Sequence, residues 1–298
     1  MVQAKLSEPG QSDARKKMRH YTGMGLVTYT DLAEFGLPLV TPDQPEFNSL
    51  VHDIESRPQP FRNWPVDDLT KSAVLLNQSR NAIVAISYVW RYVTATGTPH
   101  TSRYSNLGSS MQLDVLTGRS GVTRDIGTFI LPGSKRLITE RGMFGNNLDV
   151  LGEGEGSRGG GYMGAGGSGG TSSHEEIVAT ELILDSAILE DGQCIGPDEF
   201  GMVESVGEDL ELIRRTAAQA EAALRNGGSA GEIFELLRPL ARHATTRTPQ
   251  GEPRSRSLFL RMFADMGIRQ LIDREAGTVA GWFETQAQPP RLRLYRPS

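Results

Sequence analysis

Five carboxylates, Asp185, Glu190, Asp191, Asp198 and Glu199, crowd into one short stretch of the chain. Two of them brought together could do acid–base work or hold Ca²⁺. The simpler assignment gives Asp191 to a tight Asp191-Gly192 turn and leaves the others facing water. The histidines, His20, His52, His100, His174 and His243, are too far apart in sequence to form a local metal pair. His174-Glu175-Glu176 also lacks the second histidine, four residues on, that a zinc protease needs. Distant groups can still converge, and a hydrolytic site assembled that way would draw on Asp185, His174 and His243.

Glycine supplies two further motif matches. Gly154-Glu155-Gly156-Ser157-Arg158-Gly159 fits the dinucleotide fingerprint, which works by placing a pyrophosphate on a helix N-terminus. The residues that follow are too rich in glycine to form that helix. Gly166-Gly167-Ser168-Gly169-Gly170 fits the nucleophile-elbow spacing, whose strained strand-to-helix turn a polyglycine stretch does not hold. Gly133-Ser134-Lys135 lacks the spacing of a phosphate loop and reads as a turn. The sequence therefore assigns no catalytic, cofactor-binding or metal-binding residue, and no cofactor.

The elements that would position any site follow from hydrophobic pattern. In Asn81 to Val93, Val84, Ile86, Tyr88, Trp90 and Tyr92 alternate with Ile83, Ala85, Ser87, Val89 and Arg91, the period of a β-strand. Ile177 to Ile195 reads as a hairpin turning at Asp191-Gly192. With Ala73 to Leu76, Met111 to Leu116, Gly127 to Leu131 and Lys135 to Thr139, six or seven strands are expected between Ala73 and Met202. That pattern resembles an immunoglobulin-like or fibronectin-like antiparallel β-sandwich, with Trp90 filling the gap between sheets. Leu184 to Phe200 and Asn77 to Trp90 are also similar to segments of uncharacterised bacterial proteins that pair such a sandwich with a helical tail. The resemblance implies that arrangement, and neither an activity nor catalytic residues.

The chain is then expected as three parts. Residues 1–72 form a polar N-terminal arm, poorly ordered over its first forty residues. Its one short helix lies at about 42–56 and opens on Thr41-Pro42-Asp43-Gln44. Residues 73–203 form the sandwich, interrupted by a disordered glycine-rich loop over 152–173; glycine makes up 11 of the 19 residues from Gly152 to Gly170. Residues 204–298 form a helical unit, with capping boxes at Ser205 to Glu208 and Ser229 to Glu232 and a stop at Asn226-Gly227. The fold class is α+β, with the helices either packed on the sandwich or standing apart.

Composition narrows function. A net charge of −5 over 298 residues gives no strong pull towards nucleic acid or an anionic membrane. The 11 arginines against five carboxylates after residue 237 read as a solvated face or a site for an acidic partner. A single cysteine, Cys194, rules out an internal disulfide. No apolar run is long enough to cross a bilayer, and no signal peptide is visible, so the chain reads as cytoplasmic, with export as the alternative if its true N-terminus lies elsewhere. Asn77-Gln78-Ser79 matches a glycosylation acceptor but reads as a turn. The expected role is a non-catalytic binding protein that meets another protein through the sandwich surface or the arginine-rich helical unit. The alternative is a hydrolase with its site between the two.

Overall fold

A computed structural model describes residues 17–22, 25–55, 69–97, 99–105, 110–118, 129–140, 142–144, 177–241, 246–247, 253–254, 258–288 and 292–294. The glycine-rich tract with its two motif matches, His174 and His243 lie outside the described residues.

One long strand organises the larger sheet. β9 (Ile177–Leu189) pairs antiparallel with β5 (Ile83–Thr94) along its length. Its other edge is shared by two strands. β2 (Gly25–Thr30) runs parallel to it over Ala179 to Ile183, and β10 (Gln193–Ile195) antiparallel over Ala187 and Ile188. β6 (Pro99–Ser105) adds to β5, β1 (Lys17–Thr22) to β2, and a short strand at Arg293–Leu294 runs parallel to β10, which completes seven strands. The sheet is mixed, which corrects the antiparallel expectation. Periodicity within a strand carries no record of a parallel neighbour that arrives from some 150 residues earlier. The first forty residues likewise supply β1, β2 and β3 (Leu39–Val40), because Val27 and Tyr29 alternate inward and are fully buried.

The smaller sheet is β3, β4 (Ala73–Leu76), β7 (Lys135–Thr139) and β8 (Gly142–Phe144), antiparallel throughout. Val27, Tyr29, Ile86, Tyr88, Trp90, Leu182 and Leu184 of the larger sheet share one apolar cluster with Leu39, Leu75 and Ile138 of the smaller. The aromatics within it have polar tips, and these reach main-chain carbonyls at the edge of the smaller sheet. Trp90 Nε1 donates to Thr139 O at 3.1 Å, Tyr29 Oη to Thr70 O at 3.2 Å, and Tyr104 Oη to Glu140 O. Trp90 thus sits where its pattern placed it, with its indole N–H satisfied. On the far side of the smaller sheet, α1 (Phe47–Glu55) lays Phe47, Val51 and Ile54 on Val40, Val74 and Leu137, and Asp53 pairs with Lys135. Gln44 Oε1 accepts from Thr41 N as the capping pattern predicts, but Pro45 intervenes and the helix begins at Phe47.

The opposite face of the larger sheet carries the helices. Ala82, Val84, Ala85, Ile188 and Cys194 share a cluster with α2 (Ser110–Leu116), α3 (Met202–Arg225), α4 (Ala230–Ala241), α5 (Leu258–Asp273) and α6 (Ala276–Gln286). Met111 to Leu116 is therefore helix and not strand: Leu113 and Leu116 are buried three residues apart, and Gln112 Nε2 donates to Val84 O at 2.6 Å. Of the strand expected at Gly127 to Leu131, only a bridge between Ile130 and Ile83 exists in the described part. The box at Ser229 is realised in both directions, Ser229 N to Glu232 Oε2 at 3.1 Å and Glu232 N to Ser229 Oγ at 3.3 Å.

Gln286, the last residue of α6, is 1% exposed, and among the described residues neither the oxygen nor the nitrogen of its amide has a hydrogen-bond partner. An unmatched buried amide destabilises the fold, so Gln286→Leu is expected to raise the unfolding free energy by about 1–2 kcal/mol. A urea midpoint equal to or below that of the wild type would show that the amide is satisfied in solution.

Candidate functional site

The carboxylate stretch comes together at a β-bulge. Leu184 faces Tyr88 and Ser186 faces Ser87, so Asp185 is the extra residue of β9. Bulges re-aim a side chain, and they are enriched beside functional sites. Asp185 is fully buried, and its carboxylate accepts Glu199 N at 2.9 Å through Oδ1 and Phe200 N at 3.3 Å through Oδ2. The chain between β10 and α3 is thereby tied to the middle of the sheet. Close approach here requires Gly196, whose φ is +87° and whose added Cβ would stand 2.3 Å from Asp185 O.

Asp198 makes the second tie. It holds a positive φ of 53°, a conformation in which aspartate is among the better-tolerated side chains. Its Oδ1 accepts Ser186 Oγ and Val203 N, both at 2.9 Å, and its Oδ2 accepts Glu204 N at 3.0 Å. The Asp198 side chain therefore satisfies first-turn N–H groups of α3 from outside it, while Gly201 holds the N-cap position and the helix starts at Met202. Ser205 to Glu208, read from sequence as the helix start, lie inside its first turns.

Phe200 carries the site to the surface. Two guanidinium groups lie against its ring, Arg91 at 5.5 Å and Arg103 at 5.1 Å from the centroid, within cation–π range. Arg91 of β5 faces Glu181 of β9 and pairs with it at 3.5 Å, while Arg103 of β6 faces Val89. Burial, aided by the Asp198 and Glu199 carboxylates, pushes the Asp185 carboxyl up to about 6 against the lowering effect of the Phe200 and Glu199 N–H groups. Burial, with Asp198 and Asp191, also raises the Cys194 thiol to about 11, so it stays protonated at neutral pH.

Of the expected candidates, Asp185, Asp198 and Glu199 meet here, while Asp191 makes the hairpin turn by accepting Gln193 N at 3.0 Å and Asn81 Nδ2 at 3.0 Å. His174 and His243 lie outside the described residues. Among the described residues no group of three or more His, Cys, Asp or Glu is placed to hold a metal ion. Asn77 is 1% exposed and donates to Asn81 O and Ile130 O, which fits its reading as a turn. Sequence reasoning missed the Arg91, Phe200 and Arg103 stack. The one signal was Arg91, a cation in an otherwise apolar and aromatic strand.

A second polar knot lies at the opposite face, where Lys71 meets Glu140 at 3.5 Å and the Tyr92 phenol bonds to the same carboxylate. Burial, Glu140 and the neighbouring tyrosines hold the Tyr92 phenol far above its usual range. These phenols are donors that lace the two sheets, not bases. Among the described residues no helix is long and apolar enough to cross a membrane. Compared with protein-family models, curated proteins and solved structures, the chain matches none of them.

Proposed function

We propose that the protein is a non-catalytic interaction protein that takes an extended, acidic segment of another protein onto the β6 edge and the adjoining Arg91, Phe200 and Arg103 stack. The observation that carries this reading is an aromatic ring contacted by two arginines beside a strand edge that has no further partner among the described strands. Among the described strands β6 has a neighbour on one side only, and Thr101, Arg103 and Ser105 are exposed along it. A strand edge offers main-chain groups for β-addition, and side chains beside it select the partner. Pro99 and Arg103 discourage like strands from pairing there, so the preferred partner brings opposite charge.

In the helical unit Arg214 and Arg215 are paired with Glu211, Arg225 with Glu221 and Glu284, and Arg238 with Glu235, as Arg91 is with Glu181. The scaffold in this reading is an immunoglobulin-like sandwich with a helical tail, supported by the apolar cluster common to both sheets. The hydrolase alternative keeps Asp185, but both its oxygens are engaged by backbone N–H groups.

Fluorescence anisotropy with labelled peptides tests the reading. An alternating Glu-Val peptide is expected to bind, more weakly as salt rises, while a Lys-Val peptide does not. Arg103→Glu is expected to reverse that preference. No binding of the Glu-Val peptide at about 1 mM, where some 4 kcal/mol of binding free energy suffices, would end the proposal, as would equal binding of both peptides.

A further inference from the structure

Asp185 and Asp198 meet at one serine. Ser186 Oγ lies 2.9 Å from Asp198 Oδ1 and 3.5 Å from Asp185 Oδ2, so its single proton serves Asp198. No cation among the described residues forms an ion pair with either carboxylate. Among the described residues the charged groups that act on Asp185 are Asp198 and Glu199 of the connecting segment, both acidic; Asp191 acts on Cys194, and Glu204 of α3 meets Asp198 through its N–H. Arg91 of β5 and Arg103 of β6 reach the Phe200 ring, and Arg91 is occupied by Glu181 of β9. A buried carboxylate held by neutral donors and flanked by two others is relieved by a proton.

We infer that Asp185, Ser186 and Asp198 form a proton-operated latch, which locks residues 197–201, and with them the Phe200 ring, against the sheet when Asp185 is protonated. A protonated carboxyl keeps acceptor capacity for the Glu199 and Phe200 N–H groups and no longer repels Asp198 and Glu199. Ionisation strengthens the two N–H bonds but leaves a buried charge with no cation beside it among the described residues and restores the repulsion; burial is the largest of these effects, so the junction loosens. The sign follows from linkage. With its folded value near 6 and its unfolded value at 3.8, Asp185 binds a proton in the native state that the unfolded chain releases between those limits. The junction is therefore firmest below that window and loosens as pH rises through it. This goes beyond the binding surface proposed above and needs no ligand; its consequence there is that acidification presents a fixed Phe200 platform.

The test is a pH titration of the full chain by ¹H–¹⁵N NMR, from about pH 4.5 to 8. The amides of Glu199 and Phe200 are expected to show an inflection at about pH 6, while that of Leu75, in the other sheet, does not. Their exchange, corrected for base catalysis, should be several-fold less protected at about pH 7.5 than at 5.5. Asp185→Asn should abolish the inflection. Asp198→Asn, which keeps a helix-capping side chain, should move it towards the ordinary carboxylate range. If the first variant fails to fold, the second decides. No inflection above about pH 5, an inflection that survives Asp185→Asn or is unmoved by Asp198→Asn, or stronger protection at the higher pH overturns the latch.

Discussion

Trp90→Ala is expected to lower the unfolding free energy by about 3–5 kcal/mol, the range for deleting a large buried aromatic. Trp90 is fully buried among residues of both sheets, and its indole N–H ends on Thr139 O at 3.1 Å. The substitution removes apolar contact and also the hydrogen bond to that carbonyl. Trp90→Phe separates the two effects, since it keeps most of the volume and loses the hydrogen bond, for an expected loss of about 1–2 kcal/mol. Urea denaturation reads both as a lower midpoint at unchanged m value. Wild-type stability in the alanine variant would mean that Trp90 does not fill the space between the sheets.

Gly196→Ala is expected to lose about 3 kcal/mol or more. Part of this is conformational: φ is +87°, where a side chain costs roughly 1–2 kcal/mol. The larger part is contact, because the new Cβ would lie 2.3 Å from Asp185 O and 3.0 Å from Ser186 Cα, both backbone atoms held by the β9–β10 hairpin. Gly97→Ala is the control. It has φ +82° and nothing within 4 Å of an added Cβ, so it carries the conformational part alone. Thermal denaturation of the two variants side by side measures the overlap by difference, and equal shifts would show that the bulge yields.

The parts of this fold that were legible in sequence are those written into one local stretch. β5 and β9 announce themselves by alternation, Asp191-Gly192 by its turn chemistry, and α4 by a reciprocal Ser229 and Glu232 box that the structure realises. Even in β5 the alternation is imperfect. The bulge at Ile83/Ala85, where Val84 is the extra residue, puts Ile83 with Ile86, Tyr88 and Trp90, and Val84 and Ala85 with the helical side. What was hidden depends on partners distant in the chain. β6 (PHTSRYS) lacks the apolar residues that mark a strand and forms because β5 offers an edge. Met111 to Leu116 has too few residues to distinguish a strand from two turns of helix until its neighbours are known. The site shows the same division. The acidic stretch was visible, but which carboxylates meet is set by an extra residue in β9, and Arg91, Arg103 and Phe200 come from three separate elements.

The double pairing of β9 bears on how the chain is made. β5 leaves the ribosome some eighty residues before β9 begins, and β2 about 150 residues before it. At 5–20 residues per second, β5 waits roughly 4–16 s, with one long edge and the apolar side of Trp90 unsatisfied, for the strand that completes them. The nascent protein thus passes through an interval in which its most aggregation-prone strand is synthesised and unpartnered, and the speed of translation between Thr94 and Ile177 sets the length of that exposure.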